Sequence, residues 1–206
     1  MNPWESISLE DYEGHMSLDS VCQLQTMEQM MEDQFYRYPI RKAIVLGVAG
    51  GNGLSRVDPE RLEEVVGVDI NHDYLKASVR RYPELSGTFR PCWADLLDED
   101  TRLPQTQLVI ANLLVEYVGC GSFAARVRET GAEYVSVAIQ INERAEDFVS
   151  DSPYQSAFEG LERVHRDVGR DELTSALNEV GYGECYCRNY PLPNGKALLR
   201  IDYHKR

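Results

Sequence analysis

The chain has 206 residues, the length of one ordinary domain. Its 43% hydrophobic and 27% charged residues are globular proportions and exclude a disordered or low-complexity protein. Acidic residues outnumber basic ones by 34 to 21, a net charge of −13, which argues against a protein whose main work is gripping phosphate backbones. No stretch is long and apolar enough to span a bilayer, and the acidic start MNPWESISLEDYEGHM lacks the build of a secretory signal. A cytoplasmic protein with neither membrane nor nucleic-acid partners is expected. Cys22, Cys92, Cys120, Cys185 and Cys187 are scattered and read as reduced thiols, with no metal-site spacing among them. Strand alternation puts Cys185 and Cys187 on one face.

The first periodic stretch runs from about Leu18 to Tyr36, where Val21, Leu24, Met27, Met31 and Phe35 recur at helical spacing before Pro39. Ala43 to Ala49 (AIVLGVA) is short, continuously apolar and runs into glycines, as a strand buried on both faces of a parallel sheet reads. Val65 to Ile70 (VVGVDI) repeats the pattern, Thr88 to Trp93 does so more weakly, and Leu108 to Ala111 and Tyr134 to Ile139 supply two more strands. Helices are expected from the cap Asn71 to about Arg81, from Ser122 to Thr130 with Gly131 as its stop, and from Asp171 to Val180. Between the first two strands there is room for scarcely more than one helical turn. ECYCRNY and KALLRIDYH flank the turn signal Asn194-Gly195 and predict an antiparallel hairpin. The result is an α/β chain with a doubly wound, mostly parallel seven-stranded sheet and an antiparallel edge. Ligands on such sheets bind beyond the carboxyl ends of the strands.

The first strand runs into Gly47-Val48-Ala49-Gly50-Gly51-Asn52-Gly53, where small residues let a ligand approach the backbone; a tight strand-to-helix turn without ligand reads the same way. The second strand ends at Asp69, placed to accept two hydrogen bonds from a ribose diol, since Asn71 can cap the next helix by itself. After the third strand, Asp95 can accept from an exocyclic amine and the Leu96 N–H can donate to a ring nitrogen, which together would read an adenine edge. A solvated loop acid is the alternative, because Asp98, Glu99 and Asp100 follow. Asn112 is a neutral polar group at the mouth of the sheet, with Glu116 and Tyr117 beyond it as either ligand contacts or helix caps.

Taken in order, VLGVAGGNG, VVGVDIN, CWADL and LVIANLLVEYV resemble the class I S-adenosylmethionine-dependent methyltransferases of the small-molecule type (type 11 or 25). GRDELTSALNEVGY and the two strands after it look like that family's last helix and edge hairpin. The resemblance covers most of the chain from about residue 8 and implies one methyltransferase-like domain over 1–206, with 1–40 as an N-terminal helical cap. It implies that Gly47, Ala49, Gly51, Asn52 and Gly53 cradle the amino-acid part of S-adenosylmethionine, that Asp69 holds the ribose with Ile70 beside the adenine, that Asp95 and Leu96 read the adenine, and that Asn112 lies near the methyl donor. Tyr12 and Met16 match a leading segment that closes over the cofactor. Two departures stand out: Gly47 occupies the place of an acid that helps hold the cofactor's ammonium group, and Ala49 replaces a glycine.

Methyl transfer from a sulfonium is an in-line displacement in which alignment and water exclusion dominate, and a base is needed only when the acceptor must lose a proton early. No catalytic residue is assigned. His15, Glu116, Tyr117 and Tyr154 are candidates to contact a small-molecule acceptor, beneath a connection from Asn142 to Arg170 that carries Phe148, Tyr154 and Phe158. A binding protein of methyltransferase type without catalysis, and a nicotinamide-dependent oxidoreductase, are the rival readings. The second lacks the third position of its glycine fingerprint, where Arg56 stands.

Overall fold

The five apolar runs form parallel strands: β1 (Lys42–Leu46), β2 (Glu64–Asp69), β3 (Phe89–Trp93), β4 (Leu108–Asn112) and β5 (Tyr134–Ile141). With β6 (Tyr182–Pro191) and β7 (Ala197–Lys205) they make a seven-stranded sheet in the order β3-β2-β1-β4-β5-β7-β6, in which β7 runs antiparallel to both neighbours. This computed structural model describes residues 2–142 and 148–206. The sheet is the doubly wound, mostly parallel one that the sequence predicts. Leu46 is in register with Val68 on one side and Ala111 on the other, so Gly47, Asp69 and Asn112 come to the same edge of the sheet. The strand order reverses between β1 and β4, which opens a crevice there.

Helices α2 (Gln23–Tyr36) and α3 (His72–Arg81) cover one face through Met31, Phe35 and Leu75. On the other face α5 (Cys120–Thr130) and α6 (Arg170–Glu179) pack Phe123, Val127, Leu173 and Leu177 against β4 and β5. Asn71 caps α3 as expected: its Oδ1 accepts from Asp73 and Tyr74 N–H. Between β1 and β2 there is only a single 3-10 turn, Leu54–Arg56. The edge strand β3 contains Pro91 and is largely exposed, which explains its weak sequence signal, because proline is tolerated where one side of a strand has no partner.

Two expectations are corrected. The helix expected from Leu18 begins at Gln23, because Cys22 has a left-handed backbone (φ 54°). The residues before it form a separate helix, α1 (Leu9–Ser17), started by Ser8, whose Oγ accepts from Asp11 N–H. Cys185 and Cys187 do not share a face: a bulge between Glu184 and Tyr186 breaks the alternation. Cys185 lies 3.5 Å from the Tyr38 hydroxyl on the α2 side, whereas Cys187 packs into the cluster beneath α5 and α6.

Candidate functional site

The strand ends enclose a cavity of about 140 Å³. Gly47 starts the loop in a left-handed conformation (φ 70°), and its N–H and that of Val48 both bond the Val68 carbonyl, folding the loop over the tip of β2. Ala49 is also left-handed (φ 48°), a region that costs an L-residue about 1–2 kcal/mol. Its N–H donates to Asp69 Oδ2 at 2.9 Å, and Asn71 N–H donates to Asp69 Oδ1 at 2.9 Å. Burial raises the Asp69 carboxyl above its ordinary range, against these backbone N–H groups and that of Ile70. Each oxygen keeps acceptor capacity beyond its backbone bond, and Asp69, Gly47 and Ala49 all line the cavity.

Gly51, Asn52 and Gly53 stand behind the loop instead of on the cavity wall. A Cβ at Gly51 would meet the Tyr82 ring, and one at Gly53 would run into Met31, so both glycines serve close packing of the loop on its own protein. Asn52 Nδ2 donates to the buried Tyr12 hydroxyl at 2.8 Å. That bond, the paired contacts of Arg81 with Glu13 (2.6 and 3.0 Å) and the bond from Asn71 Nδ2 to the Trp4 carbonyl (2.9 Å) hold the N-terminal segment across the site. Tyr12 and Met16 are buried there and line the cavity.

Ile70, Asp95 and Leu96 line the β2–β3 side. Asp95 Oδ1 accepts from Leu97 N–H at 2.9 Å. The half-exposed Trp93 stacks on His72 and donates to the Ile70 carbonyl at 2.7 Å. Asn112 also lines the cavity, and its amide pairs reciprocally with that of Gln34 at 3.0 Å each way. Gln34 continues to Ser136, and Ser136 to Asp202 and Arg200. Arg200 is fully buried between Asp202 and Asp33, each at 2.6 Å. The Asn112 amide is thus held by a network that runs across the α2 face of the sheet, from β4 over β5 to β7.

Beyond β4 the short helix α4 (Val115–Val118) carries Glu116 and Tyr117 into the wall. Glu116 is buried; Oε1 accepts from Gln140 N–H at 2.8 Å, and Oε2 has no partner among the described residues. Burial pushes this carboxyl up to about 7. Tyr117 packs edge-on against Trp4 (4.9 Å) and His165 (5.5 Å), and Phe148 stacks on His165 at 3.9 Å. His15 shares a 2.7 Å hydrogen bond with Ser152 and lies against Phe158. Burial, helped by the charge of Lys196, keeps it below the ordinary histidine range. Tyr154 does not reach the cavity; its ring lies over Gly14 of α1. Of the connection from Asn142 to Arg170, residues 143–147 lie outside the described part.

No protein-family model matches the sequence, and no curated protein matches it. Solved structures do. A magnesium protoporphyrin IX methyltransferase from Synechocystis PCC 6803 with bound SAH shares 9% identity over 98% of this chain and 96% of that one, with a TM-score of 0.72. A geranyl diphosphate C-methyltransferase from Streptomyces coelicolor A3(2), with Mg2+, geranyl diphosphate and S-adenosyl-L-homocysteine, gives 12%, 88%, 80% and 0.67. The cyclase SpnF gives 9%, 86%, 80% and 0.66. This chain has the class I methyltransferase fold.

On this class I methyltransferase fold, several wall residues had no signal in the sequence. Trp4 and Gln140 line the cavity through contacts that span the chain: Gln140 Nε2 donates to the Phe148 carbonyl, and its Oε1 accepts from Gln23. His165 reaches the wall from the connection after β5, beside Phe158, which the sequence already placed in the cover over the acceptor. The wall carries the acids Asp69, Asp95 and Glu116 but no lysine or arginine among the described residues. The buried Lys196 amine donates to the Phe148 carbonyl at 3.1 Å and is not part of the wall.

Proposed function

We propose that this protein is an S-adenosylmethionine-dependent methyltransferase acting on a small molecule and releasing S-adenosylhomocysteine. The observation that carries the reading is Asp69: a desolvated carboxylate at the tip of β2, steered by two backbone N–H bonds and lining the switch-point cavity. Such a group fits a ribose diol. The charge of the wall agrees. A sulfonium amino acid is cationic overall and suits three acids, whereas a dinucleotide pyrophosphate would need cations or an open glycine loop, and here the loop's later glycines are packed against Tyr82 and Met31.

Under this reading Asp69 holds the ribose, Ile70, Asp95 and Leu96 flank the adenine, and Gly47 and Ala49 offer main chain to the amino-acid part. Gly51, Asn52 and Gly53 act from behind by shaping the loop. Asn112 is oriented by Gln34 near the reacting end. The cofactor, when bound, supplies an electrophilic methyl group. The chain's own task is alignment and water exclusion, served by Tyr12, Met16 and Trp4 from the N-terminal segment and by Phe148 and Phe158 from the connection after β5. Residues 1–206 are read as one domain, with 1–40 its cap, because the bonds of Asn52, Asn71 and Arg81 tie the two together.

Gly47 favours one second reading, an adenosyl-binding protein without methyl transfer. Its left-handed backbone (φ 70°) strains any side chain, and Leu114 Cδ1, 3.2 Å from an added Cβ, would have to shift to admit the acid expected there. A thermal-shift panel separates the possibilities. Saturating S-adenosylhomocysteine should stabilise the protein by about 3 kcal/mol at 100 times Kd, with no shift from NAD. A shift with NAD alone would overturn both readings, and adenosyl binding without turnover of any acceptor would favour the second.

A further inference from the structure

We propose that the acceptor is a small apolar amine, bound as its ammonium ion against the Glu116 carboxylate, which then takes the proton from nitrogen. The inference rests on the methyltransferase reading above and adds a substrate class to it. Glu116 is 4% exposed, one oxygen is held by Gln140 N–H, and the other has no partner among the described residues. A buried polar atom left this way is costly unless a ligand completes it. No arginine or lysine among the described residues lines the cavity to do so.

The surroundings select the ligand. Trp4, Tyr117, Phe148, Phe158 and His165 present ring surfaces to the same space, and rings attract a desolvated cation through their faces. An anionic acceptor finds Asp69, Asp95 and Glu116 but no lysine or arginine among the described residues of the wall. A neutral alcohol can satisfy the hydrogen bond to Oε2 but not its charge. The proton step is balanced within the pair. The ammonium N–H bond breaks, its electron pair stays on nitrogen as a free lone pair, and the proton ends on Oε2. A carboxyl whose burial lifts it to about 7 holds that proton better than an ordinary glutamate does.

The test is calorimetry on the full chain saturated with S-adenosylhomocysteine, titrated with phenethylamine, phenethyl alcohol and hydrocinnamate. The amine is expected to bind, the alcohol about tenfold more weakly, and the carboxylate not measurably. In Glu116→Gln the amine affinity should fall by about tenfold or more, with S-adenosylhomocysteine affinity preserved; that preservation also reports a folded site. Equal binding of the carboxylate, unchanged amine affinity in the variant, or no amine binding to the saturated protein would each overturn the proposal. So would loss of S-adenosylhomocysteine affinity in the variant, because the carboxylate would then serve the cofactor. If the wild type fails to bind S-adenosylhomocysteine, the methyltransferase reading falls and takes this one with it.

Discussion

Glu116→Gln should make the protein more stable, and only at neutral and alkaline pH. Folding raises this carboxyl from 4.5 to about 7, so between those values the folded state holds a proton that the unfolded chain has released. Stability linked to the group is therefore complete below about pH 4.5 and falls until pH passes 7. The rise of about 2.5 pH units, at about 1.4 kcal/mol each, gives a loss of about 3 kcal/mol. Glutamine keeps an oxygen for Gln140 N–H and never ionises. Urea unfolding from pH 4 to 8.5 should give nearly equal stabilities at the acid end and a variant more stable by about 3 kcal/mol at the alkaline end. The titratable neighbours do not confuse the window: burial pushes Cys120 up to about 12 and Tyr117 up as well, and His15 and His165, both held low, are common to the two proteins. Parallel curves would refute the reasoning, because they would mean that Glu116 is no harder to ionise in the folded protein than in the unfolded chain.

Ala49→Gly should raise unfolding stability by about 0.5–1 kcal/mol, since glycine relieves the left-handed backbone and loses only part of that gain to its freer unfolded chain; a loss measured by urea titration would contradict the strain. Asp69→Ala should cost about 2–4 kcal/mol before any ligand is considered, because it strands the N–H groups of Ala49 and Asn71, and S-adenosylhomocysteine affinity measured on the folded fraction should fall as well. Arg200→Ala should cost about 3–5 kcal/mol by leaving Asp202 buried and unpaired. Asp33→Ala, at the half-exposed end of the same network, should cost about 1 kcal/mol or less, and equal losses in a denaturation comparison would argue against the burial contrast.

The sheet was legible because β1, β2, β4 and β5 are buried on both faces and are apolar through their buried stretches, Ser136 apart. The placement of Asp69 at the edge followed from counting along β2. Helix α1 escaped because its apolar pattern is thin and contains Gly14, whose missing side chain makes room for Tyr154, a contact from a distant part of the chain. Ser8 ahead of Asp11 was the local signal that would have found it. The roles of Gly51 and Gly53 read as ligand cradling because small residues look alike whether a ligand or a neighbouring side chain approaches them. What distinguishes Glu116 from any other loop acid is the burial imposed by β5 and the connection after it, together with the bond to Gln140, and none of this is encoded next to it in the chain.

The most direct test is a crystal structure with S-adenosylhomocysteine. The nucleoside should lie at the β1–β4 crevice with both ribose hydroxyls about 2.6–3.0 Å from the Asp69 carboxylate and the adenine between Ile70 and Leu96. A nucleoside bound elsewhere, or a ribose turned away from Asp69, would contradict the account.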